Sequence, residues 1–124
     1  MLKPQQNRSQ LQMFCLETAV SSDSVVRVIE ALVDSFDLGQ FGFVLKGQIK
    51  NGAPVFRASD LLKLYYYGYL NRVRSSRRLE REARTNLEAI WLIKGAQPSY
   101  KTIAYFRKDN PKAIKKSFDI SIVS

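Results

Sequence analysis

Between Ser59 and Arg72 the chain reads SDLLKLYYYGYLNR, and from Leu61 to Leu70 its only charge is Lys63. A helix that is apolar nearly all round cannot lie on a surface. It needs neighbours on every side, which places this segment in the middle of a bundle. Ser59 or Asp60 opens the helix, and the pattern runs through Val73. Its tyrosines read as core residues whose hydroxyls find partners at the edge of the bundle, rather than as platforms for stacking. A chain of 124 residues can supply one domain of this kind but not two.

The flanking segments supply the cover. In SSDSVVRVIEALVDSF, Val25, Val28, Ile29, Leu32, Val33 and Phe36 recur at three- and four-residue spacings. They predict an amphipathic helix capped by Ser22 or Asp23 and closed before Gly39. Residues 9–18 form a short turn or helix. Residues 37–57 hold four of the six glycines and Pro54, so they read as a Gly-rich loop with a short strand at Phe43-Val44-Leu45. A loop of that length either carries a job or hides an element. Ser75 and Ser76 cap the next helix, which reaches about Asn86 with Leu79, Ala83 and Leu87 inward. NLEAIWLIKG then presents Leu87, Ile90, Trp91 and Ile93 and stops at Gly95, with Trp91 as a core anchor. After the tight connection GAQP, Ser99 caps SYKTIAYFRKDN, which keeps Ile103 and Phe106 inward and ends at Pro111. The fold class is therefore all-α: a small helical bundle containing a helix-turn-helix-like unit.

Charge is segregated along this frame. The net charge is +9; residues 1–56 hold five basic and five acidic residues, whereas residues 57–116 hold fifteen basic against five acidic. One-sided positive charge points to a polyanionic partner. Six of the arginines fall in NRVRSSRRLEREAR, residues 71–84: Arg72, Arg74, Arg77, Arg78, Arg81 and Arg84. At 100° per residue, Arg77, Arg81 and Arg84 share a stripe about 60° wide. Surface pairs Glu80–Arg84 and Arg78–Glu82 engage at most two of the six. The rest are candidates for phosphate, together with Arg107. On the last helix Tyr100, Lys101, Ala104, Tyr105 and Lys108 fill an outward arc. In a helix-turn-helix the second helix enters the major groove, so these five are candidates for reading base edges, with Ala104 permitting close approach or touching a thymine methyl.

Catalytic chemistry has little to work with. The chain has no histidine, and Cys15 is its only cysteine. Histidine-dependent triads, the usual zinc sites and an internal disulfide are excluded. Neither GxxxxGK[ST] nor GxGxxG occurs. Glu30 and Asp34 lie one helical turn apart, a spacing that suits a solvated face better than a metal site. No apolar run approaches the roughly 20 residues that span a bilayer, and the first twenty residues lack a secretory layout. No cofactor, no metal and no membrane are expected, and a cytosolic location is.

Residues 61–111 carry a family likeness. Leu61-Leu62-Lys63-Leu64, Tyr67-Gly68-Tyr69-Leu70-Asn71, Arg74-Ser75-Ser76-Arg77-Arg78-Leu79-Glu80, Trp91-Leu92, Gly95, Pro98, Thr102-Ile103, Phe106-Arg107 and Asn110 resemble the N-terminal domain of bacterial insertion-sequence transposases of the InsH-like type. Val33-Asp34-Ser35 fits what precedes that block. The resemblance implies a helical DNA-binding domain that recognises terminal inverted repeats, in a bacterial, nucleoid-associated setting. It further implies that the Asp-Asp-Glu nuclease domain of such enzymes would lie beyond Ser124, so that this chain binds DNA without cutting it. The expected organisation is a helical DNA-binding domain over residues 1–114 and a divergent basic-to-apolar tail over residues 115–124. The partner is double-stranded DNA. A homodimerisation or assembly domain, or a non-functional remnant, is the alternative.

Overall fold

The computed structural model describes residues 17–44, 49–50, 53–54 and 56–123. In chain order the helices are α1 (Val25–Asp34), α2 (Leu38–Phe41), α3 (Ala58–Leu70), α4 (Ser76–Thr85), α5 (Leu87–Leu92), α6 (Tyr100–Asp109) and α7 (Pro111–Val123). Two-residue strands β1 (Ile49–Lys50) and β2 (Ala53–Pro54) pair antiparallel, Ile49 opposite Pro54. Apart from that pair, the architecture is an all-α bundle.

α3 lies at its centre. Leu61, Leu62, Leu64, Tyr66 and Tyr67 are all buried, and so is Lys63. α1 and α5 pack along α3, and α4 packs near its C-terminal end. From the remaining side Phe118 of α7 stacks on Tyr66 at 4.3 Å, and the Tyr66 hydroxyl donates to Ser117 Oγ at 3.0 Å. The Lys63 ammonium, taken out of water, meets Asp34 Oδ1 of α1 at 2.9 Å. Pairing is what makes a buried ammonium tolerable. Of the four tyrosines, Tyr66 and Tyr67 are core as expected, Tyr65 is half-buried and Tyr69 is exposed.

Several boundaries differ from the sequence reading, each for a local reason. α1 is capped by Ser24, whose hydroxyl accepts from the Val26 amide. Its buried stripe is Val26, Ile29 and Val33, while Val25 and Val28 are exposed. Val26, Ile29 and Val33 lie within about 60° of one another, and Val28 falls well outside that arc. Leu87 is also exposed: α4 ends at Thr85, and Asn86 starts a new helix by accepting from the Glu88 and Ala89 amides. The turn of direction removes Leu87 from the line of Leu79 and Ala83. Pro111 does not end helicity. It occupies the first turn of α7, where its missing N–H has no helical partner to lose, and residues 115–123 continue that helix.

The long loop does hide structure. α2 is a helical turn within it, and Phe36, Phe41, Phe43 and Phe106 form a chain of rings at 5.4, 6.2 and 5.6 Å. Phe43 and Val44 are not in a strand, and Leu45 lies outside the described residues. Of the turn expected at residues 9–18, only Glu17 and Thr18 are described, and both are helical.

Two close fits set the geometry. A Cβ on Gly68 would stand 2.6 Å from the Val73 carbonyl oxygen and 2.9 Å from Leu79 Cδ2. Only glycine lets the chain turn back after α3 and seat α4 against it. The second is at Trp91, buried, whose Nε1–H donates to Glu17 at 2.8 Å while Arg27 lies 4.7 Å over the ring and pairs with the same carboxylate at 2.7 Å.

Gly68→Ala should cost about 1–3 kcal/mol in chemical denaturation, the usual range for overpacking; an unchanged midpoint would remove this account of the turn. The Arg27 hydrogen bond, then that from Trp91, hold the Glu17 carboxyl below the usual carboxylate range. Its interactions are therefore in force above that range and are lost as pH falls through the lowered value. Trp91 is the only tryptophan, so its fluorescence should change with a midpoint below that of an ordinary glutamate, and Arg27→Ala should raise that midpoint.

Candidate nucleic-acid interface

The basic surface is organised by α4 and α6, which pack against each other. Ser75 caps α4 by accepting from the Arg78 amide, and Leu79 and Ala83 are its buried residues. Anchoring that narrow face turns the arginines outward. Arg77, Arg78, Arg81 and Arg84 are all exposed. Ser99 caps α6 by accepting from the Thr102 amide, and Ile103 and Phe106 are buried beneath it. Lys101, Ala104, Tyr105 and Lys108 are exposed on its outer side, with Tyr100 half-buried at its start.

Arg77 joins the two elements, its guanidinium 4.0 Å over the Tyr100 ring. Glu80 joins them a second time, accepting from the Tyr100 amide at 2.6 Å and standing 3.9 Å from Arg84. The Arg84–Glu80 pair thus forms as expected. The Arg78–Glu82 pair does not, because Glu82 turns inward to accept from the Tyr67 hydroxyl at 2.5 Å. Burial, reinforced by that carboxylate, pushes the Tyr67 phenol well above its usual range. Among the described residues Arg72, Arg74, Arg78 and Arg81 have no carboxylate partner.

Arg107 is placed differently from the other arginines. Its Nη1 donates to the Arg74 carbonyl at 2.6 Å and lies 3.4 Å from Ser76 Oγ, with the guanidinium 5.7 Å from the Tyr65 ring. It is half-buried and ties α6 to the turn that precedes α4. The connection between α5 and α6 runs through residues 93–99, longer than the four residues GAQP. Gly95 makes its reversal: at φ 79° it follows Lys94 at φ 56°, and its amide returns to the Ile90 carbonyl at 3.0 Å. α6 packs chiefly on α4 and on α7.

Arg72 and Arg74 belong to a second feature, a groove of about 640 Å³ at the C-terminal end of α3, lined among others by Tyr65, Tyr69, Leu70, Arg72, Arg74 and Arg107. The sequence reading missed Glu80 as the joint between helices and Tyr69 as a groove wall. Tyr65 and Tyr69 lie four apart on one helix, and that spacing was the available signal. Among the described residues no three histidine, cysteine, aspartate or glutamate side chains come together as a metal site would need, and no helix is long and apolar enough to cross a membrane.

The model of a family described as a transposase domain (DUF772) matches residues 14–109, more than half of the chain. No curated protein and no solved structure matches it.

Arg107→Ala should cost about 1 kcal/mol of stability, because it strips a charged donor from the Arg74 carbonyl. Arg81→Ala should change stability by less than about 0.5 kcal/mol. Thermal or denaturant unfolding of the two variants checks the contrast; equal losses would contradict these placements.

Proposed function

The chain belongs to the DUF772 transposase domain family, and from that premise we propose that it is a duplex-DNA-binding module directed to the terminal inverted repeats of an insertion sequence. The observation that carries the reading is the junction of Arg77 and Tyr100, which sets the arginine face of α4 beside the outer face of α6. Arg77, Arg78, Arg81 and Arg84 would hold phosphates along the backbone. Lys101, Ala104, Tyr105 and Lys108 would meet base edges, with Tyr100 positioned at the rim by Arg77. Arg107 supports this surface from behind by holding the turn at residues 71–75 against α6.

The chain binds in this reading and does not cut. Support comes from the two carboxylates of α4, which lie within the arginine face: Glu80 is engaged by the Tyr100 amide and Arg84, Glu82 by Tyr67, and among the described residues no three carboxylates come together as a metal site would need.

Neutralising five or six phosphates gives a slope of about −5 in log K against log salt. Arg77→Ala and Arg81→Ala should weaken all duplexes alike, whereas Lys101→Ala and Tyr105→Ala should alter the choice of sequence. Selection from a random duplex pool, then anisotropy over a salt series, measures both. A reversed pattern of effects would undo the assignment of roles. Magnesium or manganese added to protein and repeat DNA should produce no strand breaks; reproducible nicking by purified protein would refute the non-cutting reading.

A further inference from the structure

The groove at the end of α3 is built unlike the surface formed by α4 and α6. Its volume of about 640 Å³ falls inside the ~300–1,000 Å³ range of small-molecule sites. One wall is aromatic. Tyr65 and Tyr69 are both braced by Phe118 of α7, with centroids at 5.7 and 4.9 Å, yet Tyr69 keeps 66% of its surface exposed. The lining is also cationic: Arg72 and Arg74 are exposed, and among the described residues no acidic one lines the groove.

The backbone between these walls is held in an unusual state. Arg72 sits at φ 58°, a conformation that side chains with a Cβ disfavour. It persists because the turn is tied on both sides, Asn71 N–H to the Tyr67 carbonyl at 3.0 Å and Val73 N–H to the Gly68 carbonyl at 2.8 Å. The turn is a left-handed helix C-cap of the kind that also follows α5 at Lys94, and its Arg72 side chain lines the same groove as the exposed Tyr69 ring.

We infer that this groove holds one unpaired nucleotide of a DNA strand, its base against Tyr69 and its phosphate between Arg72 and Arg74. A paired base inside a duplex cannot offer its face to a ring, whereas an unpaired end can. Single strands are held by this combination of aromatic platform and basic groove. An acidic peptide would engage the arginines and leave the aromatic wall idle. The site shares no residue with the outer face of α6, so it does not rest on the recognition of inverted repeats.

The test compares, by anisotropy on the full chain, one duplex with blunt ends, the same duplex with a three-nucleotide thymidine overhang, and that duplex with an abasic overhang. The overhang should tighten binding about tenfold, the effect of stacking a single base, and the abasic overhang should restore most of the blunt value. Tyr69→Ala should abolish the difference between overhang and blunt ends while leaving the blunt affinity within about twofold. Arg72→Gly, which relieves the backbone while removing the guanidinium, should weaken overhang binding several-fold; a thermal melt by circular dichroism for both variants confirms that they fold. Equal affinity for blunt and overhang duplexes overturns the inference whatever the duplex affinity. An abasic overhang as good as thymidine overturns the base in favour of a phosphate site, which free inorganic phosphate would then compete for. Displacement of the overhang advantage by polyglutamate at concentrations equal to oligothymidine would overturn it in favour of an acidic protein. No measurable binding of the blunt duplex while the thymidine-overhang duplex still binds would instead count against the proposed function alone.

Discussion

The burial of α3 is the condition that the other helices satisfy. A helix with apolar side chains on nearly all faces has little solvated side, and each leucine left exposed would forfeit about 1.5–3 kcal/mol. α1, α4, α5 and α7 cover it from different directions. The charge buried on it, Lys63, runs out to Asp34 at the margin of α1. That pair adds direction more than energy: it fixes which end of α1 lies against which part of α3. Gly68 completes the arrangement by removing the side chain at the one place where the turn and α4 must come closest.

The charged half of the chain follows from the same arrangement. Once Leu79 and Ala83 are committed to the core, Arg77, Arg78, Arg81 and Arg84 are left facing water, and arginine is well suited to such positions because its stem can cover apolar surface while its head stays wet. Acidic residues in this region are spent on internal tasks: Glu80 holds α6 to α4, and Glu82 receives a buried phenol. Those contacts take up oxygens of both carboxylates, which leaves Arg78 and Arg81 without a carboxylate partner among the described residues. Arg107 moves the other way, since its charge is used to fasten a carbonyl.

Periodicity made much of this legible. The burial of Leu61, Leu62, Leu64, Tyr66 and Tyr67, the caps at Ser75 and Ser99, the inward Ile103 and Phe106, and the core role of Trp91 follow from spacing and cap chemistry that act within a single helix. What stayed hidden depends on contacts between elements. That Val26 rather than Val28 completes the stripe of α1 depends on which face meets α3, and the cap is Ser24 rather than the expected Ser22 or Asp23. That Glu82 turns to Tyr67 rather than to Arg78 depends on α3 and α4 meeting. That Arg107 is fastened rather than free depends on a carbonyl 33 residues away. The groove between Tyr69 and Arg72 was invisible for a similar reason, because a concave surface is a property of a turn and two helices together. The helical turn at Leu38–Phe41 was masked by glycines, which mark a loop even where four residues manage one turn.

Asn110 shows how narrow such a requirement can become. It is buried between α6 and α7, and its amide works like a borrowed peptide group. Its oxygen takes the Val44 N–H at 2.6 Å, while its nitrogen gives to the Val44 carbonyl at 2.8 Å and to the Phe106 carbonyl at 2.9 Å. Only one orientation of the amide meets all three demands. Aspartate has the same length but nothing to donate, leucine has the shape but neither function, and glutamine carries both one carbon too far. A single side chain thereby stands in for a strand partner across 66 residues of sequence, and the vocabulary acceptable at that position shrinks to one letter.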